Sequence, residues 1–204
     1  MAAAYVDWRQ RVAGGLVGLL VGDALGVPYE FKEPKALPPA SLIEYEPPAG
    51  FLRSHARVPP GTWSDDGAQA LVLLDTLLVR GYVDLAHFSR GLVRWESEGF
   101  YAVDGKVFDI GIQTSRAIAR LKAGGDPATS GPNSERDNGN GSLMRVLACQ
   151  TQPRCLTTRG SGEQRRMTPA GVDPSCWRSA GRPRCASACR VSWGCGKGLL
   201  RISR

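Results

Sequence analysis

A chain of 204 residues, 42% of them hydrophobic, can bury one sizeable core and is long enough for one domain or a little more. Its formal charge of +7 is unevenly spread: residues 1–148 hold 15 Lys and Arg against 17 Asp and Glu, while residues 149–204 hold 11 basic residues and only Glu163 and Asp173. The basic character therefore belongs to the C-terminal stretch and excludes any inference about nucleic-acid partners for the first 148 residues.

The first predicted element runs from Tyr5 to Gly22, with Asp7 as N-cap and Trp8, Val12, Leu16, Leu19 and Leu20 at helical spacing. Its apolar part, Val12 to Val21, follows Arg9 and Arg11 but is cut off by Gly22-Asp23, short of the ~18 apolar residues that a spanning helix needs. The expectation is a buried helix of a soluble, cytoplasmic protein with no membrane partner. Glycines 14, 15, 18 and 22 are costly in a helix and are expected to let another helix approach closely. The chain then turns through Asp23 to Pro28 and reaches Glu30, a carboxylate between Tyr29 and Phe31.

Seven prolines between Pro34 and Pro60 predict an irregular excursion, since proline removes backbone donors and blocks helix. It delivers the chain to Gly61-Thr62-Trp63-Ser64-Asp65-Asp66-Gly67. Ser64, Asp65 and Asp66 place three oxygen donors in a row where a loop becomes a helix. Such a row suits a hard divalent cation, and it also suits a helix start capped by serine with acidic residues in the first turn. The helix is expected over Ser64 to Arg80, with Ala68, Leu71, Val72, Leu74 and Leu78 inward and Gly81 as its stop. A third helix, capped by Asp84, runs through Phe88, Leu92 and Trp95 to Glu98, with Gly99 ending it. A fourth is expected from Ile112 to Ala123. The glycine- and asparagine-rich run 137–142 then feeds a fifth helix, whose starting amides could attract an anion such as phosphate. Helical periodicity without alternating strands gives an all-α fold.

Three stretches in fixed order carry a resemblance: Gly18-Leu19-Leu20-Val21-Gly22-Asp23-Ala24-Leu25-Gly26 with Glu30 behind it, Gly61 to Leu71, and Asn138 to Arg145. Over about residues 8 to 147 the chain resembles the ADP-ribosylglycohydrolase family, which includes the dinitrogenase reductase-activating glycohydrolases. The phrase Val107-Phe108-Asp109-Ile110-Gly111 is similar as well. The resemblance implies a compact all-α hydrolase that binds two divalent cations, Mg2+ or Mn2+, and cleaves ADP-ribose from a modified protein or other acceptor. It implies Ser64, Asp65 and Asp66 as metal ligands and Glu30 as the catalytic carboxylate beside the scissile bond. Asn138, Gly139, Asn140, Gly141 and Ser142 would be the substrate-binding loop, with Asp109 facing the substrate. For Asp23 a structural role in holding the loop is expected.

The family's second metal motif, Asp-x-Asp followed by Thr or Ser near the C-terminus, is absent here, so the second metal site is expected to be incomplete and activity impaired. Residues 149–204 contain six Leu, Ile or Val and no Phe, a composition expected of a disordered Arg-, Cys- and Gly-rich tail. The domain division is thus 1–148, the N-terminal part of the family domain, and 149–204, a tail explained by truncation or a change of reading frame near residue 148. Lacking a Cys-x-x-Cys pair or a nearby histidine, the tail is not read as a zinc site, and no specific nucleic-acid binding is expected of it. The apolar faces of the first two helices would lose cover, with poor solubility as the consequence. The alternative to an enzyme is a non-catalytic ADP-ribose-binding module or an inactive fragment.

Overall fold

The computed structural model describes residues 7–134, 137 and 139–149, and these are helical with no strand among them. Five α-helices follow one another: α1 (Trp8–Gly26), α2 (Asp65–Arg80), α3 (Leu85–Glu98), α4 (Ile112–Lys122) and the short α5 (Val146–Cys149). Asn138 and residues 150–204 lie outside the described residues, and with them the expectations for Asn138 and for the basic tail.

Helix α2 is the centre of the bundle, packed on α1, α3 and α5. Its ends are set locally. Ser64 accepts a hydrogen bond from the Asp66 amide at the N-cap, and Gly81 closes the last turn with a left-handed φ of 73° that a glycine adopts without strain. Its inward face differs from the expected one. Ala68 and Val72 are buried as predicted, but Leu71 and Leu74 are half-buried and Leu78 is 70% exposed, while Gln69, Leu73, Thr76 and Leu77 are buried instead. The reason is that Thr76 and Gln69 satisfy their polar atoms inside. Thr76 Oγ1 donates to the Val72 carbonyl and sits 3.1 Å from His87 Nδ1, so a face that hydropathy assigns to solvent turns inward.

Helix α3 forms as its sequence indicates. Asp84 accepts from the His87 amide at the start, Gly99 ends it at φ 72°, and Phe88, Leu92 and Trp95 point into the core. There they meet Val72, Leu73 and Leu77 of α2, Ile118 of α4, and Ala148 and Cys149 of α5. Each fully buried large side chain of this set contributes roughly 1.5–3 kcal/mol of transfer free energy. Gly91 permits the α2–α3 approach, since a Cβ there would lie 2.6 Å from Val72 Cγ1.

Helix α1 corrects two expectations. It continues through Asp23 to Gly26, and it is not buried: Ala24 is its one buried residue, while Trp8, Val17 and Val21 are exposed. Of its glycines, Gly15 alone meets a neighbouring helix among the described residues, at Leu147 of α5. Among the described residues a Cβ at Gly14, Gly18 or Gly22 would meet nothing within 4 Å, and one at Gly15 would only touch Leu147. The stretch Trp8–Tyr29 is also long and apolar enough, by length and composition, to cross a membrane, which the count of apolar residues in the sequence understated. Its C-terminal end is nevertheless tied into the bundle by Asp23.

The proline-rich excursion is ordered. Short 3-10 turns occupy Pro34–Ala36 and Ala40–Leu42. The Tyr29 hydroxyl donates to the Glu44 carbonyl at 2.8 Å and accepts from the Glu44 amide at 3.1 Å, and the Tyr29 ring packs on Phe51.

Candidate functional site

The site is assembled around the start of α2 by a carboxylate from another helix. Asp23 Oδ2 accepts from the Ser64 and Gly67 amides at 2.9 and 2.7 Å, and Oδ1 accepts from the Ser64 hydroxyl at 2.8 Å. Two of the amides that a helix N-terminus presents, and the N-cap hydroxyl, are thus satisfied by one side chain of α1, a favourable place for negative charge. Gly67 makes the approach possible, since a Cβ at that position would lie 2.8–3.0 Å from Leu20, Asp23 Oδ2 and Trp63. Asp23 has the structural role expected of it.

With α1 and α2 locked in this way, a cavity of about 610 Å³ opens beside the α2 start. Glu30, Asp65, Asp66 and Asp109 line it together with Gly139, Asn140, Gly141 and Ser142, and Phe31, Gln113, Thr114 and Arg145 are also part of the wall. Eight of the ten residues singled out from sequence therefore meet in one place, although they come from four separate stretches. Ser64 does not line the cavity; it is buried behind Asp65, with its hydroxyl engaged by Asp23 and by the Asp66 amide. The glycine-asparagine turn feeds a helix that begins only at Val146, so the residues facing the cavity belong to the turn itself rather than to a helix start. Gly139 donates its amide to Gln113 Oε1 at 3.0 Å, and a Cβ on Gly139 would lie 2.4 Å from the same oxygen.

The crowding of acids governs the electrostatics. Burial first, then Asp66, Asp109, Asp23 and Glu30, push the Asp65 carboxyl up to about 7. Glu30 is likewise pushed up to about 7 by burial and by Asp109, against the lowering effect of His55. Asp66 and Asp23 are raised as well, chiefly by burial. Partly buried carboxylates held this close destabilise one another unless protons or a cation neutralise them. Four carboxylates around one polar cavity form the hard oxygen donor set that Mg2+, Mn2+ or Ca2+ takes, so the residues fit a divalent cation.

Two residues of the site were not singled out in the sequence. His55 Nε2 lies 2.8 Å from Glu30 Oε2, and potential ligand atoms of Glu30, His55 and Asp109 all lie within 4.8 Å of one another. Gln69, fully buried, donates through Nε2 to Asp65 Oδ2 at 3.0 Å and accepts through Oε1 from Arg145 Nη1 at 3.1 Å. It connects the acidic wall to the turn. The backbone is strained here too. Phe31, His55 and Asp109 are three of the five described non-glycine residues with positive φ, at 60°, 48° and 55°. Each such conformation costs roughly 1–2 kcal/mol, and strain of this kind gathers at functional sites.

The sequence profile described as ADP-ribosylglycohydrolase matches residues 4–201. The chain belongs to the ADP-ribosylglycohydrolase family. It is 33% identical over 143 residues to an ADP-ribosylarginine hydrolase Tri1 of Pseudomonas putida (strain GB-1), an alignment covering 67% of this chain and 34% of that protein. It is 30% identical over 166 residues to the ADP-ribosyl-[dinitrogen reductase] glycohydrolase of Rhodospirillum rubrum, covering 81% and 48%. A solved structure titled ADP-ribosylglycohydrolase-related protein complex superposes with a TM-score of 0.53 at 33% identity, over 72% of this chain and 45% of that one. Both of these named relatives are hydrolases of ADP-ribosyl bonds, and this chain spans a third to a half of their length.

Proposed function

We propose that this ADP-ribosylglycohydrolase-family chain carries the acidic half of a metal-dependent site that hydrolyses the bond between ADP-ribose and its acceptor. The observation that supports the reading is the single cavity in which Glu30, Asp65, Asp66 and Asp109 face the Gly139–Ser142 turn. Asp65 and Asp66, backed by Ser64, would hold the cation, Mg2+ or Mn2+. When bound, such an ion supplies Lewis acidity and an ionised water near neutral pH.

The remaining chemistry falls to the chain's own groups. Backbone amides of the turn and the Asn140 and Ser142 side chains would meet the diphosphate and ribose, with no basic side chain required. Glu30 would steer the attacking water and take its proton. The bond from the anomeric carbon to the acceptor breaks, water contributes hydroxide to that carbon, and the acceptor leaves with a proton. Positive charge developing on the sugar is favoured by the ring of carboxylates. The substrate would be an ADP-ribosylated protein or a related conjugate. The relatives' names make ADP-ribosylarginine the first to test.

The decisive experiment is release of ADP-ribose from ADP-ribosylarginine by the whole chain with Mg2+ or Mn2+, against a chelated control. Weak but cation-dependent release, lost in Glu30→Gln, is the expected result, since the second metal motif is absent from the sequence. Tight, cation-independent binding of ADP-ribose without release would overturn it in favour of a binding module, and neither release nor binding would leave an inactive chain.

A further inference from the structure

We propose that His55 is the positioning residue of this site: its Nε2 grips Glu30 Oε2 and so holds the other carboxylate oxygen toward the cavity, against the repulsion of Asp109. The inference rests on the reading of Glu30 given above.

The contact is built rather than incidental. Glu30 and His55 are 25 residues apart, and the two segments are joined by a backbone and a side-chain bond from Ser54, the residue before the histidine. The Ser54 amide donates to the Pro28 carbonyl at 2.8 Å, and the Ser54 hydroxyl donates to the Glu30 carbonyl. On the far side, the Val58 amide donates to the His55 carbonyl and Arg53 Nη2 donates to the Val58 carbonyl, which close the turn that carries the imidazole. The ring itself stands between Phe31 and Phe108, with centroids 5.8 and 5.1 Å away. Tilted ring contacts with both phenylalanines, together with the closed turn, favour the imidazole position beside Glu30. The His55 backbone keeps φ at 48°, a conformation that a β-substituted residue adopts only at a cost, so the surrounding contacts hold the ring where it is.

The functional need is equally specific. Glu30 is flanked by Asp109 and lies within the electrostatic reach of Asp23. A carboxylate so placed lowers its energy by rotating toward solvent unless something holds it. The only described side chain bonded to Glu30's carboxylate is His55. A hydrogen-bonded partner that orients a reacting group is worth roughly 10–100-fold in activity when removed.

The test compares His55→Phe, which keeps the ring packed between the two phenylalanines but has no nitrogen, with His55→Gln, whose amide N–H reaches about as far as Nε2. His55→Ala serves as a second removal variant if the phenyl ring is not accommodated. In the full chain, His55→Phe is expected to lower kcat for ADP-ribose release ~10–100-fold with KM little changed, and His55→Gln to restore most of the loss. Crystal structures of the variants should show Glu30 rotated out of the cavity in His55→Phe and held in it in His55→Gln. Unchanged kcat, or a loss confined to KM, overturns the proposal. If the wild-type chain releases no ADP-ribose with any cation, the proposed function fails and the crystal structures alone decide, with Glu30 unmoved in His55→Phe overturning the positioning role.

Discussion

Gln69 links two charged groups that would otherwise have to be solvated in the interior. Its amide donates to Asp65 and its carbonyl oxygen accepts from Arg145, and the residue is wholly withdrawn from solvent. Gln69→Leu would keep the volume and strip Asp65 and Arg145 of one partner each. A buried charged group that loses a partner costs about 1–3 kcal/mol, so urea unfolding of Gln69→Leu should show a midpoint shift of that size with an unchanged slope. Of the acidic residues lining the cavity, Glu30, Asp65, Asp66 and Asp109 were all legible because they sit in recognisable stretches. Gln69 and His55 were not legible. A glutamine in an apolar run reads as an outward-facing residue, and a histidine inside a proline-rich excursion reads as solvent-exposed until the fold brings it 2.8 Å from Glu30.

Among the elements, the junction between α1 and α2 is the most exposed to mutation. Asp23→Ala would leave the Ser64 and Gly67 amides without their acceptor and should lower stability by about 2–3 kcal/mol, more than a single lost N-cap at ~1 kcal/mol. Gly67→Ala should cost a comparable 1–3 kcal/mol by overpacking, because Asp23 and Trp63 cannot both retreat from the added methyl. Both are checked by thermal melting, and the double variant should cost less than the sum, since each breaks the same contact. Helices α2 and α3 were legible from their caps and glycine stops, and α4 from its periodicity and the glycines after it, to within a residue or two. The phase of α2 was not, because Leu71 to Leu74 is apolar on every side and the choice is made by the hydrogen bonds of Gln69 and Thr76. Nor was the exposure of α1, whose hydrophobic residues surround the helix and mark no preferred side.

For the whole molecule, the crowded carboxylates make stability depend on pH and on cations. Asp65 and Glu30 have folded values near 7, above their ordinary values of 3.8 and 4.5. The native state therefore binds protons that the unfolded chain has released, and the contribution is fully present below the ordinary values and lost as pH rises through about 7. The thermal midpoint of the metal-free chain should fall between about pH 5 and pH 8, and millimolar Mg2+ or Mn2+ should restore it at the upper end. Asp65→Asn should flatten the pH dependence and raise the midpoint of the metal-free chain at pH 8, while weakening the effect of the cation. A midpoint that rises with pH in the absence of metal would contradict the electrostatic account. At this scale the all-α architecture was readable from helical periodicity and the convergence of separate stretches through the family resemblance, whereas the shared burial that raises these carboxylates together exists only once the chain has folded.

The double hydrogen bond between Tyr29 and Glu44, spanning 15 residues, divides the proline-rich excursion into two lobes. The first lobe begins with Glu30 and Phe31, which line the cavity, and continues into the turns at Pro34–Ala36 and Ala40–Leu42, which do not; the second carries Ser54 and His55. A reporter peptide or fluorophore belongs in the Pro34–Leu42 turns, beyond Glu30 and Phe31, where no residue lines the acidic cavity and the tyrosine knot pins both ends of the labelled segment.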